Sequence, residues 1–502
     1  MEMRIYKLAL LLPLALHMEP ASADDSILYS KAELRFARTQ VMQEQLCSPA
    51  LRNIQDASPL SEVAIRGGLT PGATPRIPQL GSGGRDMTVE ARSMQHLGRH
   101  DLVWGNASYT NGRKYDVVWN ETSDFLQLYP YVMGDPRGGD MKYEEYRLDG
   151  GYSARHGRLY YGVETGYRAL SEYRDRDPRP NNTVADLYAR LGAGYAVTGM
   201  YALAADFMAG KYKQTNELSY FNELGAQKEY QLTGVGNDFG RFSGASNNTF
   251  FKGYSLGGAL SLAPTRGYGW TATAEYLFTQ MEKVLTDLNR LPLNELSVNR
   301  IAVGAGYSAE RYGFRLRGEY SGRRGKDNLF GDPSGNVYPQ IGSKRQYEGS
   351  LGTICFDAYW MAPSPRGIIW EMHPEARLTA LSNKHKDSGN QLDSRDATLR
   401  INGGMTYISG ADMISAKAHI MHRHNISSKT GIYSSCHESL SATMQRIGEY
   451  FAKGETSFGI DAAYSRRVWG NKALTIGLGW QHAFYLGNCS DNRYEARIEI
   501  CI

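Results

Sequence analysis

The chain has 502 residues, with 56 Lys and Arg against 52 Asp and Glu, and its net charge of +4 is too small to argue for a nucleic-acid partner. Hydrophobic residues make up 41% and aromatics 11%, which excludes bulk disorder. A mean hydropathy of −0.47 excludes a bundle of transmembrane helices, each needing about 20 apolar residues, and five cysteines make no disulfide scaffold.

Met1 to Ala23 reads as a secretory signal peptide. Arg4 and Lys7 give a positive start, Leu8 to Leu16 is an apolar core too short to span a bilayer, and Ala21-Ser22-Ala23 is a cleavage site. The mature chain is then expected to begin at Asp24, and no cysteine follows the site to make a lipoprotein. Residues 24–58 do not alternate in hydropathy. Ala32 to Cys47 fits one short amphipathic helix, so 24–58 is expected to be a plug or periplasmic segment and 59–502 the main domain.

From about residue 86 onward the pattern has period two. Ala185, Leu187, Ala189, Leu191, Ala193, Tyr195 and Val197 alternate with Asp186, Tyr188, Arg190 and glycines. Side chains of a strand alternate between faces, so such runs are strands with one apolar and one polar face. In chain order the runs predict strands at 86–97, 101–112, 141–154, 158–172, 183–197, 201–213, 249–262, 270–282 and 295–308. They continue at 314–322, 346–362, 368–381, 394–408, 412–424, 454–465, 472–486 and 491–502. That makes 17, and a run at 60–68 with Val63 and Ile65 would make 18. Single-chain bacterial barrels use even numbers, so 16 is the alternative if 60–68 is not a strand.

The connections alternate too. Short turns fall near 155–157, 198–200, 264–269, 310–313, 363–367, 409–411 and 467–471, and longer polar stretches at 173–182, 214–248, 323–345, 382–394 and 425–455. Short periplasmic turns with long outer loops are the habit of outer-membrane barrels. Trp270, Trp360, Trp370, Trp469, Tyr195, Tyr201 and Phe314 at strand ends suit an interfacial girdle. The chain ends on a strand, where Tyr494, Ala496, Ile498, Ile500 and Ile502 alternate with charges, as a barrel needs to close its edge. Against this, Ile502 is not the terminal aromatic common in proteobacterial barrels. The expected fold is all-β, a transmembrane antiparallel up-and-down barrel of about 16–18 strands with a short N-terminal non-barrel segment. The expected location is the bacterial outer membrane, with its lipid as a partner.

Four segments carry a family likeness. They are LVWGNASYTNG at 102–112, WNETSDFLQLYPYVMGD at 119–135, YRALSEYRDRDPRPNN at 167–182 and KYKQTNELSYFNELG at 211–225. Together they resemble a Bacteroidetes family of outer-membrane β-barrel proteins of undefined function. The resemblance implies an outer-membrane location and supplies no activity, ligand or catalytic residue.

If the apolar face meets lipid, the polar face lines a lumen. Glu164, Arg168, Arg190, Arg315, Arg317, Glu371, His373, Glu375 and Arg377 are the candidate lumen residues, with Arg400, Lys417 and Asp461 among others of the same parity. Their signs are mixed, which fits cross-strand ion pairs bracing a partly filled interior better than a one-sign selectivity ring. His373, between Glu371 and Glu375 on one face, is either a proton-handling site or a hydrogen-bonded wall residue, and the second is favoured.

Other constellations carry less. His419 faces opposite to His422 and His424, so the three cannot share one metal. Cys436-His437-Glu438-Ser439 lies in a long loop with no evident third catalytic partner. Cys436 and Cys489 share the long-loop side and could bridge, and less securely so could Cys47 and Cys501, but five free thiols is the favoured reading. No catalytic residue, metal or cofactor is expected, and no enzyme activity. The expected function is a channel or transporter for an unidentified solute. The alternative is a surface receptor, or an accessory subunit working with an outer-membrane receptor or lipoprotein. It draws on the aromatics of 217–251, which would either bind a partner or pack the loop over the mouth.

Overall fold

The computed structural model describes residues 26–45, 48–54, 60–98, 100–222, 228–244, 248–335, 337–364, 367–469 and 472–502. The expected signal peptide and Cys47 lie outside the described residues.

Among the described residues the chain forms a closed antiparallel barrel of 18 strands. The first, Leu60–Thr70, is the run that sequence parity left conditional. It pairs on one side with Gly83–His96, Val63 opposite Ala91, and on the other with the last strand Cys489–Cys501, Val63 opposite Ile500. That double pairing leaves no open edge. Every predicted strand is present, and the ends at the short turns agree with the sequence reading within a few residues.

The other ends do not agree. Tyr201–Ser219, Tyr312–Phe330, Gln340–Pro363 and Asp412–Gly431 run about six to eight residues past their predicted limits. The stretch 173–182, expected as a long loop, is half strand, with Leu159–Tyr173 and Arg179–Ala196 joined across five residues. Hydrogen-bonded pairing continues there after hydropathic alternation stops. Above an apolar belt both faces of a hairpin can be polar, so period two disappears while the ladder does not.

The barrel is apolar outside. Leu187, Leu191, Ile476 and Leu478 are 46%, 59%, 52% and 59% exposed on its outer face, beside Trp270, Trp360 and Trp370. The neighbours of opposite parity turn in, Arg190 and Gln481 onto internal cavities. An exterior richer in apolar side chains than the interior is stable only against hydrocarbon, and it is the arrangement of a lipid-embedded barrel.

Two sets of non-barrel segments fill the interior. At the short-turn end lie helices α1 (Ser26–Arg35) and α2 (Ala37–Gln45) and a 3-10 turn, Pro49–Ile54. They form two helices and a turn where sequence suggested one helix. They touch strands on opposite sides of the ring, with Lys31 on Glu499, Glu44 on Arg315 and Ser48 on Asp206, and so lie within it. The turn fits only because Gly162 has no side chain. A Cβ there would lie 2.4 Å from the carbonyl carbon of Pro49.

At the long-loop end, the connection after the strand Asp101–Val117 folds inward, and Trp119, Phe125, Leu128, Tyr131 and Val132 are buried. They pack with Tyr230, Leu232 and Tyr347, and with helix α3 (Glu438–Ala452) through Leu440, Met444 and Ile447. Helix α3 corrects the reading of 425–455 as a polar loop. Its apolar positions recur every three or four residues, a spacing that a period-two search passes over. Of the aromatics of 217–251, Tyr230 and Phe251 pack down here, Phe242 is buried in a separate cluster with Leu285, Leu291 and Phe330, and Phe221 is 82% exposed.

The Cys436–Cys489 bridge that the loop geometry permitted is not formed, and Cys47 of the second lies outside the described residues. Cys355, Cys436, Cys489 and Cys501 are free. Cys436 packs against the inner aromatic cluster, where burial pushes its thiol up to about 12, and Cys501 is committed to Lys31 at 3.2 Å.

Candidate functional site

The lumen is bounded by two caps, and each is held by charged side chains. At the short-turn end Lys31, 1% exposed, lies 2.8 Å from Glu499, which Arg35 and Arg497 also contact. The amide of Ala37 at the start of α2 donates to Glu371 at 2.9 Å, and Lys417 joins Glu371 at 2.7 Å while donating to the carbonyl of Arg35.

At the long-loop end, lumen side chains from around the ring catch the loop 118–138. Arg168 binds Asp124, whose carboxylate also accepts from Tyr212 Oη at 2.9 Å. Arg323 donates to the carbonyls of Leu126 and Tyr129, and Lys283 to that of Val132. Asn182 and Asn216 both donate to the carbonyl of Glu121. Beneath the loop, Arg174 pairs with Glu121 at 3.1 Å and Asp135 at 2.7 Å, all nearly inaccessible. Glu229, from the loop strand Tyr230–Gly234 side, sits against Glu121 and accepts from Tyr220 Oη at 2.6 Å. Three carboxyls thus share one guanidinium. Burial first and the neighbouring Glu229 second raise the Glu121 carboxyl well above its usual range, and burial raises Glu229 too.

Against the short-turn cap, between α2 and the barrel wall, lies a chamber of about 470 Å³. Glu371, His373 and Glu375 line it together, as their shared parity suggested, and Arg377 pairs with Glu375 at 2.5 Å. The His373 Nε2 is buried without a hydrogen-bond partner. The remaining sequence candidates lie elsewhere. Glu164 and Arg190 line a separate cavity of about 250 Å³, with Glu164 accepting from Tyr188 Oη. Arg315 ties α2 to the wall between Glu44 at 2.5 Å and Asp357 at 3.0 Å, Arg317 pairs with Glu275 at 3.3 Å, and Arg168 belongs to the upper cap.

Sequence reasoning did not single out Arg493, Glu495 and His419 as site residues, though they line the same chamber. Arg493 and Glu495 share the parity of Arg497 and Glu499, the signal that would have found them. His419 faces this chamber, while His422 bonds Thr456 and lies beside His424 on the other face. The described residues contain no group of three or more His, Cys, Asp or Glu side chains placed to hold a metal. His437 caps α3, its Nδ1 accepting from the Ser439 amide at 3.1 Å, a structural use for the loop motif at 436–439.

This is a membrane-type barrel with an occluded, charged lumen. Residues 49–501 match the family described as "Family of unknown function (DUF6850)", and the chain belongs to that family. No curated protein matches it. Among solved structures it aligns with the ferric preacinetobactin receptor BauA from Acinetobacter baumannii at 9% identity, covering 89% of this chain and 80% of that one, with a TM-score of 0.46. It aligns with the ferric citrate transporter FecA in unliganded form at 10% identity, 88% and 78% coverage, and a TM-score of 0.39. For the CymD monoaromatic hydrocarbon channel the figures are 10%, 92% and 92%, and 0.31. At these scores the barrel rests on the chain's own strand pairing rather than on the likeness.

Proposed function

We propose that this protein is a bacterial outer-membrane barrel acting as a gated channel or transporter for a small polar solute, with no enzymatic activity. The observation that carries this is a charged chamber of about 470 Å³ beside the short-turn cap, inside a barrel with an apolar exterior whose two ends are both entered by the chain's own segments. Eighteen strands give a lumen wide enough for solute, and each cap is held by buried ion pairs as well as by apolar packing. The signal peptide and the Bacteroidetes source implied by the sequence belong to the same reading.

A second reading is a surface receptor or accessory subunit that works with a receptor or lipoprotein partner. It is favoured by Phe221, Ile341 and Tyr433, 82%, 71% and 71% exposed on the long-loop side. Aromatic and aliphatic side chains left open on a loop rim are common anchors for a partner.

Planar-bilayer recording separates the two. For a gated channel the whole chain is nearly silent, and a chain lacking residues 26–54 with 121–134 replaced by a short linker conducts steadily. A folded variant of that kind that stays silent favours the receptor.

A further inference from the structure

Many charged side chains inside the barrel are matched by a partner of opposite sign; Lys283 and Arg323 instead donate to carbonyls of the long-loop cap, and two further exceptions line the large chamber. Its carboxylates are largely taken. Glu371 is bound by Lys417 at 2.7 Å and the Ala37 amide, Glu375 by Arg377 at 2.5 Å, and Asp461 by Arg497 at 2.6 and 2.7 Å. Arg400 and Arg493 line the same chamber, and neither forms an ion pair among the described residues. Glu495 is the one lining carboxylate in the same position, so uncommitted cations outnumber uncommitted anions by two to one.

Arg400 is also positioned. Its Nε donates to Asn402 Oδ1 at 3.0 Å, and Asn402 Nδ2 donates to the carbonyl of His373 at 3.0 Å. The Nε bond fixes the plane of the guanidinium and leaves its two Nη groups for another acceptor. The unpartnered Nε2 of His373 and the ring of His419 border the same space. Arg400 is half-buried, opposite Glu375 on the neighbouring strand, and Arg493 is exposed to the chamber; a planar carboxylate is the acceptor that matches a guanidinium fork.

We infer that this chamber is a binding station for a small carboxylate-bearing anion, held between Arg400 and Arg493 with His373 and His419 at its side. The inference rests on the solute-path reading and supplies its solute class. A volume of about 470 Å³ lies within the roughly 300–1,000 Å³ range of small-molecule pockets. A neighbouring cavity of about 280 Å³ shares Gln40, Lys417, Asp461 and Glu495 with it and extends beside α1. For a cation the chamber offers Glu495, its other carboxylates being already paired.

Titration calorimetry on the purified whole chain in detergent tests this, with succinate, inorganic phosphate and glucose as probes. Succinate is expected to bind and glucose not to. The Arg400→Gln/Arg493→Gln double variant should lose at least tenfold in succinate affinity. Arg400→Lys/Arg493→Lys should recover part of it, and Arg317→Gln, whose partner Glu275 lies in another cavity, should leave it unchanged. Absent succinate binding by the intact chain, or undiminished binding by the folded Gln/Gln variant, overturns the site. Phosphate binding with equal affinity and the same arginine dependence overturns the carboxylate assignment in favour of any small anion. Because calorimetry needs no membrane, succinate binding by a barrel that never conducts keeps the site and removes the channel. A conducting barrel that binds no succinate does the reverse.

Discussion

Arg174→Ala is expected to release the cap at the long-loop end, costing about 3–5 kcal/mol of local stability. Arg174 is the one cation among Glu121, Asp135 and Glu229, and all four side chains are nearly fully buried. Removing it leaves three carboxyls facing one another in a medium that cannot solvate them. Hydrogen exchange should then accelerate in 118–138 and 229–244 while the barrel strands stay protected. Unchanged protection in those two segments would mean that aromatic packing around Trp119 alone holds the cap.

The same cluster sets a pH dependence. A carboxyl that titrates above its usual value of 4.5 keeps its proton in the folded cap where the unfolded chain has lost it. The folded state therefore binds more protons, and stability falls as pH rises from about 4.5 through the raised value of Glu121. Asp135, Glu229, Tyr220 and Arg174 face Glu121 from the other packed elements, and Arg174 alone opposes this trend. Exchange in the two segments, corrected for the intrinsic rate, should increase between pH 5 and pH 8 by more than that in the barrel strands. A flat profile would mean that Glu121 does not hold its proton in the folded cap.

Glu499→Ala is expected to free the opposite cap by a comparable amount, about 3–5 kcal/mol. Glu499 is the carboxylate shared by Lys31, Arg35 and Arg497, and it is 1% exposed. Without it Lys31 retains Cys501 Sγ and, as a counter-charge, Glu62 at 3.8 Å, and Arg497 retains Asp461. Trypsin should then cut at Lys31, Arg35 and Arg38 in the otherwise folded barrel. Resistance equal to that of the intact chain would show that the apolar contacts of Leu28, Ala32 and Phe36 suffice.

The barrel was legible because its signal is local. Alternation in runs such as Leu187 to Val197 and Tyr494 to Ile502 fixes strand, face and order, and it located even the conditional strand at Val63 and Ile65. The caps were not, because their residues are set by distant partners. Nothing near Arg174 announces Glu121 and Glu229, each about fifty residues away along the chain. Trp119 to Asp135 reads as an apolar loop of no period, and only its burial beneath α3 explains the composition. The chamber stands between these cases. Parity places Glu371, His373 and Glu375 side by side, but which of the lumen arginines lacks a partner depends on contacts across strands.

In the proposed arrangement the outside of the barrel meets lipid and its charged inside does not. Spin labels at Leu187, Leu191, Ile476 and Leu478 in the reconstituted protein, against labels at Arg190 and Gln481, test this directly. The first four are expected to relax with dissolved oxygen and to ignore a water-soluble nickel chelate, and the last two to be shielded from the oxygen-rich lipid phase. Strong broadening of 187 and 191 by the chelate, with oxygen-rich lipid reaching 190 and 481, would contradict the assigned faces and the closed lumen built on them.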